Sequence, residues 1–159
     1  MTKLIFISLF LIWGCSKEEV TNEYQPTRAT LKGNDLVFFN LVNEYRDGLG
    51  LPLLTAIKSD GCNTHSVYMW TLDYPSHDYF WRRSIRANAN YFGEVVAYGF
   101  VTPESLMSAY LGSPPHLEVL INPNYTHISI AHKGLYQCVN FAGYGGNNKN
   151  VIFEKEIIK

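Results

Sequence analysis

From Asp35 to Leu49 the apolar residues Phe38, Leu41, Val42, Tyr45 and Leu49 recur every three or four positions, which predicts an amphipathic helix. Asn34 stands where a cap would, and Gly48 and Gly50 supply the stop. After a short extended piece, Leu51-Pro52-Leu53-Leu54, a second helical pattern spans Thr55–Leu72, with Ile57, Cys62, His65, Met69 and Leu72 near one face. A shorter helix is predicted within Phe80–Asn90 with Trp81 and Ile85 inward, and Gly93–Gly99 is a compact apolar stretch around one acid, Glu94. The best-marked helix start is Thr102-Pro103-Glu104: a capping hydroxyl, proline at the first helical position and an acid in the first turn. That helix should turn Leu106, Met107 and Tyr110 inward and end near Gly112. Beyond Pro123 the period shortens to two. Ile128 and Ile130 alternate with His127 and Ser129, a strand over Tyr136–Phe141 follows a Lys-Gly turn, and Val151–Ile158 supplies the last strand. Helices precede strands, so the expected class is α+β with a small antiparallel sheet.

The start of the chain follows another pattern. Lys3 precedes a mainly apolar run from Leu4 to Trp13. Crossing a bilayer as a helix takes roughly 20 residues, so the run is too short to span but suits a secretory signal over residues 1–14. Its end, Ile12-Trp13-Gly14-Cys15, resembles the lipobox of bacterial lipoproteins, with Trp13 standing where a small residue is preferred. The resemblance implies cleavage after Gly14 and acylation of Cys15, making the membrane a partner through a lipid anchor; each buried CH₂ adds roughly 0.8 kcal/mol. The Ser-Lys-Glu-Glu that follows Cys15 is similar to outer-membrane lipoproteins, and its acids to surface-export signals. Residues 15–30 read as a polar tether and 31–159 as one globular domain.

Composition narrows the function. The chain is 47% hydrophobic and 14% aromatic, enough for a core, and loss of residues 1–14 takes the formal charge from −1 to −2, since Lys3 goes and no acid does. Without a basic surplus, nucleic-acid binding lacks its main driving force. Once Cys15 is lipidated, Cys62 and Cys138 remain. Outside the cytoplasm they form either a disulfide, stabilising by about 2–4 kcal/mol, or two buried free thiols.

Five patches carry the candidate chemistry: LVNEYRDGLGLPLL, THSVYMW, SHDYF with RR shortly after, GEVVAYG, and AYLGSPPHLEVLINPNYTHISI. In this order and spacing they resemble the CAP superfamily of cysteine-rich secretory proteins, venom antigens, pathogenesis-related plant proteins and bacterial relatives. The resemblance covers most of Leu36–Tyr144. It implies an α-β-α sandwich whose cleft is lined by two histidines and two glutamates. His77 matches the first histidine, Glu94 the first acid and His116 the second histidine. The second glutamate has no counterpart, since that region reads Leu111-Gly112-Ser113, and Val95 replaces an asparagine frequent after the first acid. The resemblance also implies sterol or other lipid ligands and divalent cations.

Two imidazoles and a carboxylate can hold Zn²⁺ or another divalent cation, with ligands at roughly 2.0–2.3 Å and a position left for water. Such a site would support metal-assisted hydrolysis with Glu94 as general base. The same trio can equally be a hydrogen-bonded network in which Glu94 fixes a tautomer. Either Arg82 or Arg83 is placed to brace the loop against an acid. His65-Ser66, with no acid at helical spacing, takes a packing or surface role, as do His127 and His132; Tyr79, Phe80, Trp81, Tyr91 and Phe92 read as core. The expected function is an extracytoplasmic, lipid-anchored, non-enzymatic binding domain, on the outer membrane or cell surface, with a metal or lipid ligand. The alternatives are a metal-dependent hydrolase of peptide or peptidoglycan, and a structural interaction protein of the envelope.

Overall fold

The computed structural model describes residues 26–145 and 152–158; the signal segment, Cys15 and the tether up to residue 25 lie outside the described residues. The described elements run α1 (Gly33–Gly48), β1 (Thr55–Ala56), α2 (Asp60–Leu72), α3 (Phe80–Ala87), β2 (Tyr91–Tyr98), α4 (Pro103–Leu111), α5 (Pro114–Ile121), β3 (His127–Lys133), β4 (Tyr136–Gly143) and β5 (Ile152–Ile158). The strands form one sheet in the order β1-β3-β4-β2-β5. Its middle, β3-β4-β2, is antiparallel, whereas β1 pairs parallel with β3 and β5 parallel with β2. The sheet is therefore mixed and not wholly antiparallel. Each edge strand is joined to its neighbour by a long connection, so no hairpin sets its direction.

Helices cover both faces, giving an α-β-α sandwich. Side chains alternate along each strand, and here both sets are buried. Val95, Ala97, Val139, Phe141 and Ile128 pack with Phe38 and Val42 of α1, Leu106 and Tyr110 of α4, and Val119 and Leu120 of α5. On the other face Val96 and Cys138 meet Cys62 and Met69 of α2, while Phe92 and Ala142 meet Phe80 of α3. A strand covered twice shows no polar alternation, which is why β2 reads in the sequence only as an apolar stretch.

Several boundaries differ from the sequence expectation for local reasons. Helix α2 begins at Asp60 and not at Thr55: Thr55 and Ala56 pair with His127 and Ile128, and the Ser59 hydroxyl accepts the Cys62 N–H at 3.1 Å as a cap. Helix α1 begins at Gly33, which puts Asn34 inside the first turn and not at the cap. Helix α3 is turned the other way round. Phe80, Arg83 and Ser84 are buried, while Trp81 and Ile85 are 57% and 68% exposed. Helix α5 is an element that the hydrophobic pattern did not mark; its prolines occupy the first turn, where their missing N–H groups cost nothing. Helix α4 starts as expected, with Thr102 Oγ1 accepting from Ser105 N.

Arg46 ties one helical layer together. It follows Phe38 and Val42 on the buried stripe of α1 and is itself fully buried. Its guanidinium donates to the carbonyls of Pro52 (3.0 Å), Leu120 (2.7 Å), Asn122 (3.1 Å) and Tyr125 (3.1 Å). A cation thus meets the C-terminal end of α5, where carbonyls lack intrahelical donors. Gly93 answers a different constraint: a Cβ there would lie 2.4 Å from the Tyr125 hydroxyl oxygen, so no side chain fits between β2 and the Tyr125 ring.

Candidate functional site

Glu94 sits in the middle of β2, between Gly93 and Val95, which face the α1/α4/α5 layer. Alternation therefore points its carboxylate toward α2 and α3. There it is fully buried. Arg83 of α3 grips it with two parallel bonds, Nε to Oε2 and Nη2 to Oε1, each 2.5 Å, and uses Nη1 to reach the Asp78 carbonyl at 2.6 Å. His77, in the loop before α3, donates from Nδ1 to Oε1 at 2.8 Å. His65 of α2 is buried, donates from Nε2 to the Ser76 carbonyl at 2.7 Å, and lies 4.0 Å from Oε1. Of the two candidate arginines, Arg83 makes the brace; Arg82 lies over the rings of Tyr79 and Trp81 instead.

Burial alone would raise the Glu94 pKa, but the hydrogen bonds from His77 and Arg83 and the charge of Arg83 outweigh it and hold the carboxyl below its usual range. Glu94 is thus an ionised acid whose two oxygens are already engaged. Burial lowers the His65 pKa, with Arg83 adding to the effect against the pull of Glu94, so His65 is kept neutral. His77 Nε2 is buried without a hydrogen-bond partner among the described residues; with Nδ1 donating to Glu94, it presents a lone pair.

His116 does not join them. It belongs to the first turn of α5, bonds through Nδ1 to the Ser113 hydroxyl at 2.6 Å and stacks on Tyr110 at 5.3 Å. Helix α5 packs on the sheet face opposite the one from which Glu94 projects. The trio His77, Glu94 and His116 expected as a metal set is therefore split between two layers. Among the described residues no group of three or more His, Cys, Asp or Glu side chains is disposed to hold a metal ion. The donor chemistry agrees: a guanidinium bonded to both oxygens of Glu94 occupies the carboxylate and repels a second cation. The site does not fit a divalent metal.

The remaining candidates take ordinary places. Cys62 and Cys138 are both buried and unbonded to each other in the structure. The Cys62 thiol donates to the Cys138 carbonyl at 2.8 Å, and Cys138 Sγ lies 3.4 Å from Asn140 Oδ1 and 3.7 Å from Glu94 Oε2. Burial first, then Cys62, pushes the Cys138 pKa up, which disfavours a reactive thiolate. His127 bonds to Thr126 Oγ1, and the half-exposed His132 to Asp35. Phe80 and Phe92 are core, but Tyr79 and Trp81 are exposed.

A sequence model of the cysteine-rich secretory protein family, CAP, matches residues 39–144. The chain belongs to the CAP family. Solved structures share its fold: an extracellular protein containing an SCP domain from Bacillus anthracis (22% identity, TM-score 0.64, covering 72% of this chain and 45% of that one) and an outer surface protein of Borrelia burgdorferi (20%, 0.61, covering 76% and 100%). A cysteine-rich secretory protein of Staphylococcus aureus matches at 19% identity and TM-score 0.57, covering 71% of this chain and 40% of its own. This CAP chain thus spans less than half the length of the Bacillus and Staphylococcus proteins. No curated protein matches it significantly. Among the described residues no helix is long and apolar enough to cross a membrane.

Proposed function

We propose that this CAP protein is an extracytoplasmic, lipid-anchored domain that acts as a non-enzymatic binding module. One observation carries the reading: both oxygens of the buried Glu94 are taken by Arg83 and His77. A general base needs a lone pair its substrate can reach and a pKa near the working pH; Glu94 is fully buried, both its oxygens are hydrogen-bonded and its pKa is held below the usual range. The leader and Cys15, together with relatives described as extracellular and outer-surface proteins, support a position at the cell envelope. Of the two ligand classes that the family resemblance implies, a divalent cation is the one this arrangement disfavours, which leaves a lipid or another small envelope molecule.

The test is turnover of peptidoglycan and of a peptide pool, with a calorimetric zinc titration beside it. The expected result is no hydrolysis, and no zinc binding that depends on His77 and His116. Hydrolysis that disappears in a folded Glu94→Gln variant would instead establish the hydrolase. A second reading, an interaction protein of the envelope, is favoured by the exposure of Trp70, Tyr74, Tyr79, Trp81 and Ile85; cross-links from a partner to α2 and α3 would support it.

A further inference from the structure

Beside the Glu94 node lies a separate cavity of about 530 Å³, between the N-terminal turn of α2, helix α3 and the sheet. Its floor is polar. Ser129, Asn140 and Glu94 stand in register across β3, β4 and β2; Ser129 and Asn140 line the cavity and are only 3% and 4% exposed. Asn140 makes one side-chain hydrogen bond among the described residues, accepted by Oδ1 from the Cys138 thiol at 3.4 Å. Its amide nitrogen, with two donors, has no protein partner there and lines the cavity. Solvent in the cavity can reach this nitrogen, so its two donors are open to an acceptor bound there.

The walls add charge of one sign. Lys58 and Arg86 are exposed and line the cavity, which is also bounded by the first residues of α2, where backbone N–H groups lack intrahelical acceptors. Arg83 also lines it but is neutralised by Glu94, and Asp60 opposes one of the free cations, so the remaining balance is positive. Phe92, Ile57 and Ala142 supply an apolar side.

We propose that this cavity binds a small organic oxyanion, a carboxylate or phosphate on a short apolar body, with the oxyanion held by Asn140, Lys58, Arg86 and the N-terminus of α2. The proposal is independent of the fate of Glu94: its failure leaves the non-enzymatic reading intact, and hydrolysis at Glu94 would leave the cavity in place.

The experiment is calorimetric titration of the purified full chain with hexyl phosphate, hexanoate, hexanol and inorganic phosphate. Both amphiphilic anions should bind more tightly than hexanol or inorganic phosphate. The double variant Lys58→Gln/Arg86→Gln, at two exposed side chains, should weaken the anions at least about tenfold and leave hexanol unchanged. Asn140→Leu should abolish anion binding; if that chain fails to fold, the double variant decides. Hexanol or inorganic phosphate binding as tightly as hexyl phosphate would overturn the proposal, as would no binding of either anion or full affinity in the double variant.

Discussion

An ionised carboxylate with no exposed surface survives only where neighbouring groups replace the hydration it has lost. Glu94 meets that condition through Arg83 and His77, which between them engage both of its oxygens. That His77 meets Glu94, and that one arginine of the Arg82-Arg83 pair braces an acid, was legible from the motifs. What was not legible is the sheet face. Residue spacing does not say that Glu94 and His116 are separated by the strand that carries the acid, and a strand buried on both sides hides its alternation. His65 was likewise missed as a neighbour of Glu94, because its partner is the backbone of Ser76 and has no sequence signature. Beside Glu94, Gly93 is fixed by the approach of Tyr125. Gly93→Ala should lower the unfolding free energy by about 1–3 kcal/mol, measured by urea denaturation; an unchanged midpoint would mean that the ring moves freely aside.

Among the elements, α3 and α5 departed most from their patterns. Trp81 and Ile85 are the larger apolar residues of α3, and propensity alone would bury them. The helix is only eight residues long, however, and one ion pair to β2 fixes its rotation. Helix α5 was not marked by the pattern, because a Pro-Pro pair does not announce a helix; here Pro114 and Pro115 serve as its start. Its far end depends on Arg46, whose phase with Phe38 and Val42 on α1 was the available clue to a buried arginine. Arg46→Met should cost about 3–5 kcal/mol, since four carbonyls lose a charged donor and at least some remain buried. Hydrogen exchange should show the loss first in α5 and in the segment around Pro52. A change confined to α2 or α3 would contradict the role assigned to Arg46.

For the whole molecule, the shifted groups set the pH dependence. His65 has a folded pKa below its ordinary value of 6.5, so its neutral form is favoured by folding. Its contribution is complete above about pH 6.5 and is lost as the pH falls toward the folded value. Glu94 is also lowered, from 4.5, and its contribution is complete above about pH 4.5 and lost below it. Both therefore make the domain less stable in acid, His65 first. Urea midpoints recorded from pH 7.5 to 4 should fall, beginning near pH 6.5, and the fall between about pH 6.5 and 5 should flatten in His65→Gln. A midpoint that rises over that interval would contradict the burial of a neutral His65.

On the proposed reading, Glu94 is a structural anion and not a reserved catalytic or metal-binding one. Removing its charge tests this most directly, because a carboxylate kept for chemistry is commonly held at a cost to stability, and its loss then stabilises the fold. A structural anion behaves in the opposite way, since Glu94→Gln leaves Arg83 buried without its counter-charge. The unfolding free energy of Glu94→Gln at pH 7.5 should fall by about 3–5 kcal/mol relative to the parent chain. A variant as stable as the parent, or more stable, would contradict the account.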